Sequence, residues 1–438
     1  MTTEDEQARA GTVEGQGPVE VDEEMARHLE NKRDELFEKF EIRDGFPEAV
    51  MQEAETRTEG VQQEIQDEVD ERRDLRDLTT WTTDPIDAQD FDDAISVEKR
   101  DDEYVLWVHI ADVTHYVTPD TEMWEEAVER GNTVYLPDYT IHMLPPVLAE
   151  TVCSLVPNED RLAHTVEMHL DSETLSYEEI DIYKSVIESD ARLTYSECEE
   201  VLDDPESADG LLEDTEVDLA EKTELVWELA DQMHEQRKED GSLVLNPARD
   251  RAHTIIEECM LKANKAVTHE LMWDRGVEAM YRVHPQPSPE EWNEALREIQ
   301  DLEGVSIPGE AWEDPRKAVN ATLEQAPGRQ LSKIQRAVMF VMPRAKYMSD
   351  PFGGHHALNF EIYGHFTSPI RRLSDLINHW IVATNDVPED LAALCQHASD
   401  QQKDAEQCER EYKQFLQEVG LNPDAINNRG VEVVDEDD

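Results

Sequence analysis

Five aspartates fall within ten residues of the stretch DPIDAQDFDDAIS, residues 84–96: Asp84, Asp87, Asp90, Asp92 and Asp93. Carboxylates at that density suit a hard divalent cation such as Mg²⁺, which takes oxygen ligands in near-octahedral geometry and keeps several waters. Two such ions about 4 Å apart, bridged by carboxylates, can cleave a phosphodiester. In an extended segment Asp90 and Asp92 face the same side. Pro85 stiffens the approach, Asp84 is expected to reach back from a preceding turn, and Ile86, Ala88 and Phe91 are anchoring residues. The glycine at position six and the glutamate at position twelve of an EF-hand loop are absent. The competing reading is a solvated acidic patch, because Asp and Glu supply 104 of the 438 residues.

A second segment, GHFTSPIRRLSDLINHW (residues 364–380), sets Arg371 beside Arg372 in a chain with only 39 Lys and Arg. Guanidinium forks match phosphate oxygens bidentately. Thr367, Ser368 and Pro369 form a helix-start signal, whose open N–H groups attract phosphate. The plainer reading is that the arginines neutralise neighbouring acids. Tyr135 in TVYLPDYTIHMLPP and Tyr195 in ARLTYSE lie between turn residues. Such rings can hold single-stranded nucleic acid by base stacking, although a lone Tyr is more often core packing.

Elements must position these groups. Residues 1–20 carry Gly11, Gly15, Gly17 and Pro18 with little apolar content, a flexible tail. Met25, Leu29, Leu36, Phe37 and Phe40 recur at a helical period, and residues 48–76 read as a second, polar helical stretch. The pattern changes at Leu78. Ala94 to Glu98 and Tyr104 to Val113 read as a hairpin turning at Asp101-Asp102. A helix follows from Thr121 and stops at Gly131. Strands are expected at residues 165–170 and 180–187, and Thr194 with Glu197 forms a capping box. Helices are expected at 217–238, 253–273 and 288–300, with Ile256, Met260, Ala263, Val267 and Leu271 as the apolar stripe of the middle one. Strands first and helices after point to an α+β fold, a mixed or antiparallel sheet packed with helices. Beyond Pro388 the chain reads as polar helix, and VEVVDEDD as a ragged acidic end.

A formal charge of −65 suits either a disordered acidic chain or a folded protein adapted to concentrated salt. Periodic apolar segments and eight Trp favour the second. The five cysteines are scattered without a CxxC pair, against a disulfide framework or a zinc site, and Cys259 reads as a buried small hydrophobe. The N-terminus is neither basic nor apolar, and no apolar run approaches a membrane span, so the expected setting is cytoplasmic.

Together these segments resemble the catalytic RNB domain of the ribonuclease II and ribonuclease R family. The likeness rests on DPIDAQDFDDAIS, VLWVHIADVTHYV, RGNTVYLPDYTIHMLPPVLAETVCSL, ARLTYSE, HTIIEECMLKAN and YGHFTSPIRRLSDLINH, which occur in family order. The resemblance implies a Mg²⁺-dependent hydrolytic 3′→5′ exoribonuclease that degrades single-stranded RNA to nucleoside 5′-monophosphates. It implies two ions, Mg²⁺ or Mn²⁺, held by Asp84, Asp90, Asp92 and Asp93. Asp92 matches the aspartate whose loss abolishes cleavage while RNA binding survives. Tyr135 matches a ring stacked on the terminal nucleotide, and Tyr195 a tyrosine near the catalytic centre. Glu257 or Glu258 matches a glutamate that positions the 3′ end. Arg371 matches the arginine on the scissile phosphate, with Arg372, His365 and Ser368 as further RNA contacts.

The implied organisation is an acidic N-terminal extension (1–77), an RNB catalytic domain (78–385) and a helical C-terminal extension (386–438). Neither extension shows the β-pattern of the cold-shock and S1 domains carried by bacterial relatives. The partner implied is the 3′ end of single-stranded RNA, with no protein partner and a monomeric state. The runner-up is a catalytically inactive RNB-like RNA-binding protein. Because concentrated salt weakens phosphate contacts, affinity is expected to rest on stacking, 2′-hydroxyl contacts and metal. Lys262, Lys265, Arg344, Lys346, Arg371 and Arg372 are expected to line a local channel.

Overall fold

The computed structural model describes residues 17–211, 218–246, 249–309 and 314–434. It divides into two compact units, residues 46–132 with 142–402, and residues 1–45 with 133–141 and 403–438.

The larger unit is built on a seven-stranded sheet. Its order is Ala191–Thr194, Trp81–Asp84, Asp93–Arg100, Glu103–Ala111, Asp160–Asp171, Tyr177–Glu188 and Arg73–Asp74. The two outer pairs are parallel and the interior pairs antiparallel, so the sheet is mixed as the sequence implied. The hairpin at its centre turns at Asp101, which takes a left-handed φ of 45°. Alternation is weak in Glu103–Ala111 (EYVLWVHIA) because the strand is central and buried on both faces. The Thr194–Glu197 capping box opens the helix Tyr195–Asp203 directly from the edge strand. Thr121 caps the helix Glu122–Arg130, which stops at Gly131, φ 69°. A side chain at Gly131 would also meet Gln401 at 2.6 Å, so both conformation and space call for glycine.

Several expectations are corrected. The stretch 48–76 is not one helix: Glu48–Thr58 and Val61–Glu68 are separated at Gly60, and a 3₁₀ turn then leads to the short strand Arg73–Asp74. Arg251–His269 buries Ile255, Cys259, Ala263 and Ala266, while Ile256 and Met260 are only partly covered. Ala263, Val267 and Leu271 of the expected stripe are buried, and the buried face extends beyond it because the helix is packed on more than one side. Residues 270–275 continue it as a π-turn. A separate cluster is formed by the helices Pro289–Gln300, Pro315–Gln325 and Gly328–Val341 around Trp292, Leu296, Leu323, Ile334 and Val338.

In the smaller unit, Leu29, Leu36 and Phe37 of the helix Glu23–Phe40 pack with Tyr412, Leu416 and Ile426, and with Val134, Leu136 and Ile141 of a short hairpin. The expected acidic end is partly a strand: Val431–Val433 pairs in parallel with Val19–Val21, within the presumed N-terminal tail. Residues 1–16 and 435–438 of those two expectations lie outside the described residues. All five cysteines are free and buried. Among the described residues no helix is long and apolar enough to cross a membrane.

Candidate active site

Asp84 ends the strand Trp81–Asp84, so it projects from a rigid element rather than from the expected turn. The loop that follows carries Asp90 and Asp92, and Asp93 begins the next strand. The acidic segment therefore links two neighbouring strands of one sheet. Phe91 is buried between the aspartates, and its amide donates to Ser154 Oγ at 3.0 Å. The apolar anchor thus sets which way Asp90 and Asp92 leave the chain.

Asp92 is 3 % exposed and joins two distant parts of the sequence. Its Oδ1 accepts the Ile370 amide at 2.8 Å and its Oδ2 accepts Arg371 Nε at 3.1 Å. Burial raises its pKa well above the usual carboxylate range, against the pull of Arg371. Asp84 is likewise raised, by burial and then the charges of Asp92 and Asp90, and Asp93 by burial and then the charge of Asp84. Asp84 Oδ2 is buried with no hydrogen-bond partner. Asp90 adds its charge to both Asp84 and Asp92. Crowded, desolvated carboxylates that resist ionising together, with an orphaned oxygen among them, fit the donor chemistry of a hard cation. Among the described residues they are not drawn into a closed ligand shell.

The TSPIRR segment differs from its expected form. The helix begins at Leu373, not at Ser368, and residues 368–372 form a turn in which the Arg371 and Arg372 amides return to the Ser368 carbonyl. The Ser368 amide is taken by Asp375 Oδ1 at 2.8 Å and the Ile370 amide by Asp92. These N–H groups are therefore satisfied by carboxylates and are not an open phosphate cradle. The Ser368 hydroxyl accepts Arg371 Nη2 at 2.9 Å, which aims the guanidinium. Arg371 stays 41 % exposed, whereas Arg372 turns inward onto the fully buried Asp375 at 2.6 Å. Asn264 fixes the approach by accepting the Phe366 amide and donating to Tyr363 and Thr367. His365 Nδ1 meets the Tyr347 hydroxyl at 2.8 Å, and burial holds its pKa well below the usual imidazole range.

Tyr195 arrives by strand register. Thr194 is paired with Asp84, so the next residue leaves the sheet beside the carboxylates. Burial, then the charges of Asp93 and Asp84, push its hydroxyl up to about 12. Its ring lies flat on His253, with centroids 3.7 Å apart and planes at 7°. Sequence reading missed His253. The only signal was its place as first residue of HTIIEECMLKAN, four before Glu257 and on the same helical face.

The two candidate glutamates separate. Glu257 is half-buried and pairs with Arg249, whose charge also reaches Tyr195. Glu258 is 3 % exposed, and although burial alone would raise it, His234 and Arg237 hold its pKa below the usual range. Glu258 lines a cavity of about 220 Å³ with Arg237, Lys262, Lys265 and Phe360. Burial, then Lys265, lowers Lys262 to about 8.

Of the cations expected together, Lys262 and Lys265 line that cavity, Arg371 and Arg372 lie at the carboxylates, and Arg344 and Lys346 are exposed. The last two close a stretch the sequence reading overlooked. Residues 315–348 hold seven basic residues and one acid, Glu324. Tyr135 lies in the hairpin of the smaller unit, where its amide donates to Glu409 Oε1 at 3.0 Å.

Comparison with known proteins places the chain in a family. The family described as RNB domain matches residues 72–385. Ribonuclease R of Aquifex aeolicus is 37 % identical over 413 residues, covering 87 % of this chain and 57 % of that protein. Ribonuclease R of Thermotoga maritima is 37 % identical over 355 residues, covering 76 % and 48 %. The chain thus spans about half the length of the curated relatives it matches. Among solved structures, Mycoplasma genitalium RNase R in complex with ribose methylated single-stranded RNA superposes with a TM-score of 0.79 at 24 % identity, covering 89 % of this chain and 64 % of that one. Yeast Ssd1, a pseudonuclease, gives 0.68 at 21 % identity, covering 80 % and 46 %.

Proposed function

The chain belongs to the RNB-domain family, and from that premise we propose that it is a hydrolytic 3′→5′ exoribonuclease acting on single-stranded RNA and releasing nucleoside 5′-monophosphates. One observation carries the reading. The buried Asp92 clasps Ile370 and Arg371 across 278 residues of sequence, beside carboxyls that burial and mutual repulsion keep from ionising freely. Burying acid in this way is costly and is weak evidence of a stabilising role.

Asp84, Asp90, Asp92 and Asp93 would hold the divalent cation, Mg²⁺ or Mn²⁺, which supplies Lewis acidity and an activated water. Arg371, steered by Asp92 and Ser368, is directed at the non-bridging oxygens of the scissile phosphate, where negative charge grows in the transition state. The Tyr195 hydroxyl stays protonated at neutral pH and donates to substrate near the carboxylates. Both glutamates pair with Arg237, but Glu257, 28 % exposed and on the helical face of His253, is better disposed to meet the 3′-terminal ribose than Glu258, which is 3 % exposed and also held by His234. Tyr135 is retained as a base-stacking ring carried by the smaller unit. Arg372 and His365 act by holding the TSPIRR turn rather than by touching RNA. The acidic surface suits work in concentrated salt.

The fold alone does not secure catalysis, since a pseudonuclease shares it. The full set of four aspartates with Arg371 favours an active enzyme over an inactive RNA-binding protein. The test is 5′-labelled single-stranded RNA with Mg²⁺ in molar KCl, comparing wild type with Asp92→Asn. A shortening ladder with released mononucleotides, absent in the variant while RNA binding persists, is expected. Intact RNA with the wild type across Mg²⁺, Mn²⁺ and salt would overturn the reading.

A further inference from the structure

We propose that Asp250 and His253 form a positioning device for Tyr195, in which the imidazole is the platform that holds the tyrosine ring beside the carboxylates. This deepens the exoribonuclease reading and rests on it. Three observations support it.

The first is the stack itself. Rings 3.7 Å apart and 7° from parallel are in full face-to-face contact. Such contact restricts tilt and translation of a two-torsion side chain more than edge packing does.

The second is what Tyr195 lacks. Among the described residues its hydroxyl has no hydrogen-bond partner. Nothing at the polar end fixes the ring, so its attitude depends on the surface under it. Strand register sets where the Cα emerges, opposite Asp84, but not where the phenol points.

The third is how His253 is itself fixed. Asp250 Oδ1 accepts the His253 amide at 2.8 Å and lies 2.6 Å from Nδ1. A carboxylate can only accept, so Nδ1 carries the proton and the ring is held in one rotamer. One aspartate therefore caps the helix Arg251–His269 and locks the imidazole. The chain of contact runs from helix N-terminus to imidazole to phenol, and the phenol feels Asp84, Asp93 and Arg371. His253 is a positioning residue in this scheme. It does not touch the reacting atoms.

A double-mutant cycle tests it, with His253→Ala, His253→Phe, Tyr195→Ala and the Tyr195→Ala/His253→Ala pair assayed on single-stranded RNA with Mg²⁺. Because misplacement by about 1 Å can cost up to about 10²-fold, His253→Ala is expected to lower kcat by about 10-fold with KM little changed. His253→Phe keeps a flat platform and restores most of the rate. In the Tyr195→Ala background, His253→Ala costs nothing more. Independent losses that multiply in the double variant, or equal losses for Phe and Ala, would overturn the proposal. A second readout needs no activity. In protein labelled with ¹³C-tyrosine, the Tyr195 ring signals, assigned by Tyr195→Phe, should carry a ring-current shift that His253→Ala abolishes and Asp250→Ser, which retains a helix cap, weakens. Unchanged Tyr195 signals in His253→Ala would sink the device. Inactive wild type with the shift intact would instead sink the exoribonuclease reading alone.

Discussion

Two charged regions of the larger unit are built on opposite plans. Around Asp92 the charge is negative, desolvated and clasped, and the two adjacent arginines are each tied to a carboxylate: Arg371 to Asp92, Arg372 to Asp375. Along the helix Gly328–Val341 the charge is positive and open. Arg329, Lys333 and Arg336 lie on its exposed face with Met339 and Phe340, which are 60 % and 84 % exposed. Among the described residues Lys333 and Arg336 have no ion-pair partner. In a chain of net charge −65 neither arrangement follows from average composition. The difference separates two tasks. Buried charge is little screened by salt and suits chemistry, whereas exposed charge is screened within a few ångströms and suits reversible attraction of a polyanion.

The sharpest way to break this distinction uses the adjacent arginines. Arg371→Ala should cut kcat by about 10²–10³-fold, the scale set by removal of one donor to a developing anion, with a smaller loss of stability than Arg372→Ala, because Arg371 is 41 % exposed and Asp92 keeps the Ile370 amide. Arg372→Ala should do the reverse. It leaves the fully buried Asp375 without its guanidinium, which costs about 3–5 kcal/mol of stability. Thermal unfolding and single-turnover cleavage of the two variants check this. Equal kinetic losses with equal stability would mean that both arginines serve the substrate.

The basic face should give the next largest effect. Lys333→Glu with Arg336→Glu in the Asp92→Asn protein should weaken single-stranded RNA binding about 10-fold at 0.1 M KCl. The salt dependence should become shallower by about 1–2 in log Kd per decade of salt, as two phosphate contacts imply. The loss should fade in molar KCl, where the Debye length is about 3 Å. Identical affinity curves for both proteins would leave the basic face without a role in RNA capture, and binding would rest on stacking and 2′-hydroxyl contacts instead.

Burial of acid also has two opposite consequences for pH. Asp112 is fully buried, and although burial alone would raise it, His164, Lys184 and Arg72 hold its pKa well below the ordinary value. Its contribution to stability is therefore present above the unfolded pKa of about 3.9 and is lost as pH falls through the folded value. Asp84 and Asp93 are raised to about 7. Their folded state binds protons the unfolded state has released, so their contribution is present below about pH 4 and is lost as pH rises toward 7. Without divalent cation, the melting temperature should fall between pH 5 and 8, and Asp84→Asn with Asp93→Asn should flatten that fall. Asp112→Asn should lower stability at neutral pH and leave this slope in place. A flat profile for the wild type in chelator would refute the crowding of these two carboxyls.

What the sequence made legible follows the range of the interactions. The Asp101 turn, the Thr121 cap with its Gly131 stop, and the Thr194–Glu197 box are local, and the structure has all three. The strands Trp81–Asp84 and Ala191–Thr194 are four residues each and pair in parallel across more than a hundred residues, so neither carries a periodic signal. The fate of the TSPIRR amides was unreadable for the same reason. Their acceptors are Asp375, seven residues on, and Asp92, 278 residues back. The Asp92 clasp, the inward turn of Arg372 and the flat Tyr195–His253 stack are all tertiary. The family motifs marked the candidate residues, and the packing separates those aimed outward from those that hold them.

The smallest expected effect lies at the junction that both sequence and structure mark. Thr194 Oγ1 accepts the Glu197 amide at 3.1 Å, and Glu197 Oε2 accepts the Thr194 amide at 2.7 Å. The box ends the edge strand and starts the helix at Tyr195, so a local cap sets the path of the ring that lies beside the carboxylates. Thr194→Ala should cost about 1 kcal/mol, the usual value of a lost N-cap. Thr194→Ser should restore it. If the box serves only local helix stability, kcat stays unchanged once the protein is fully folded. If it also holds the register that delivers Tyr195, kcat falls severalfold in Thr194→Ala at temperatures well below unfolding. That fall should vanish in a Tyr195→Ala background, because there is then no ring left to misplace.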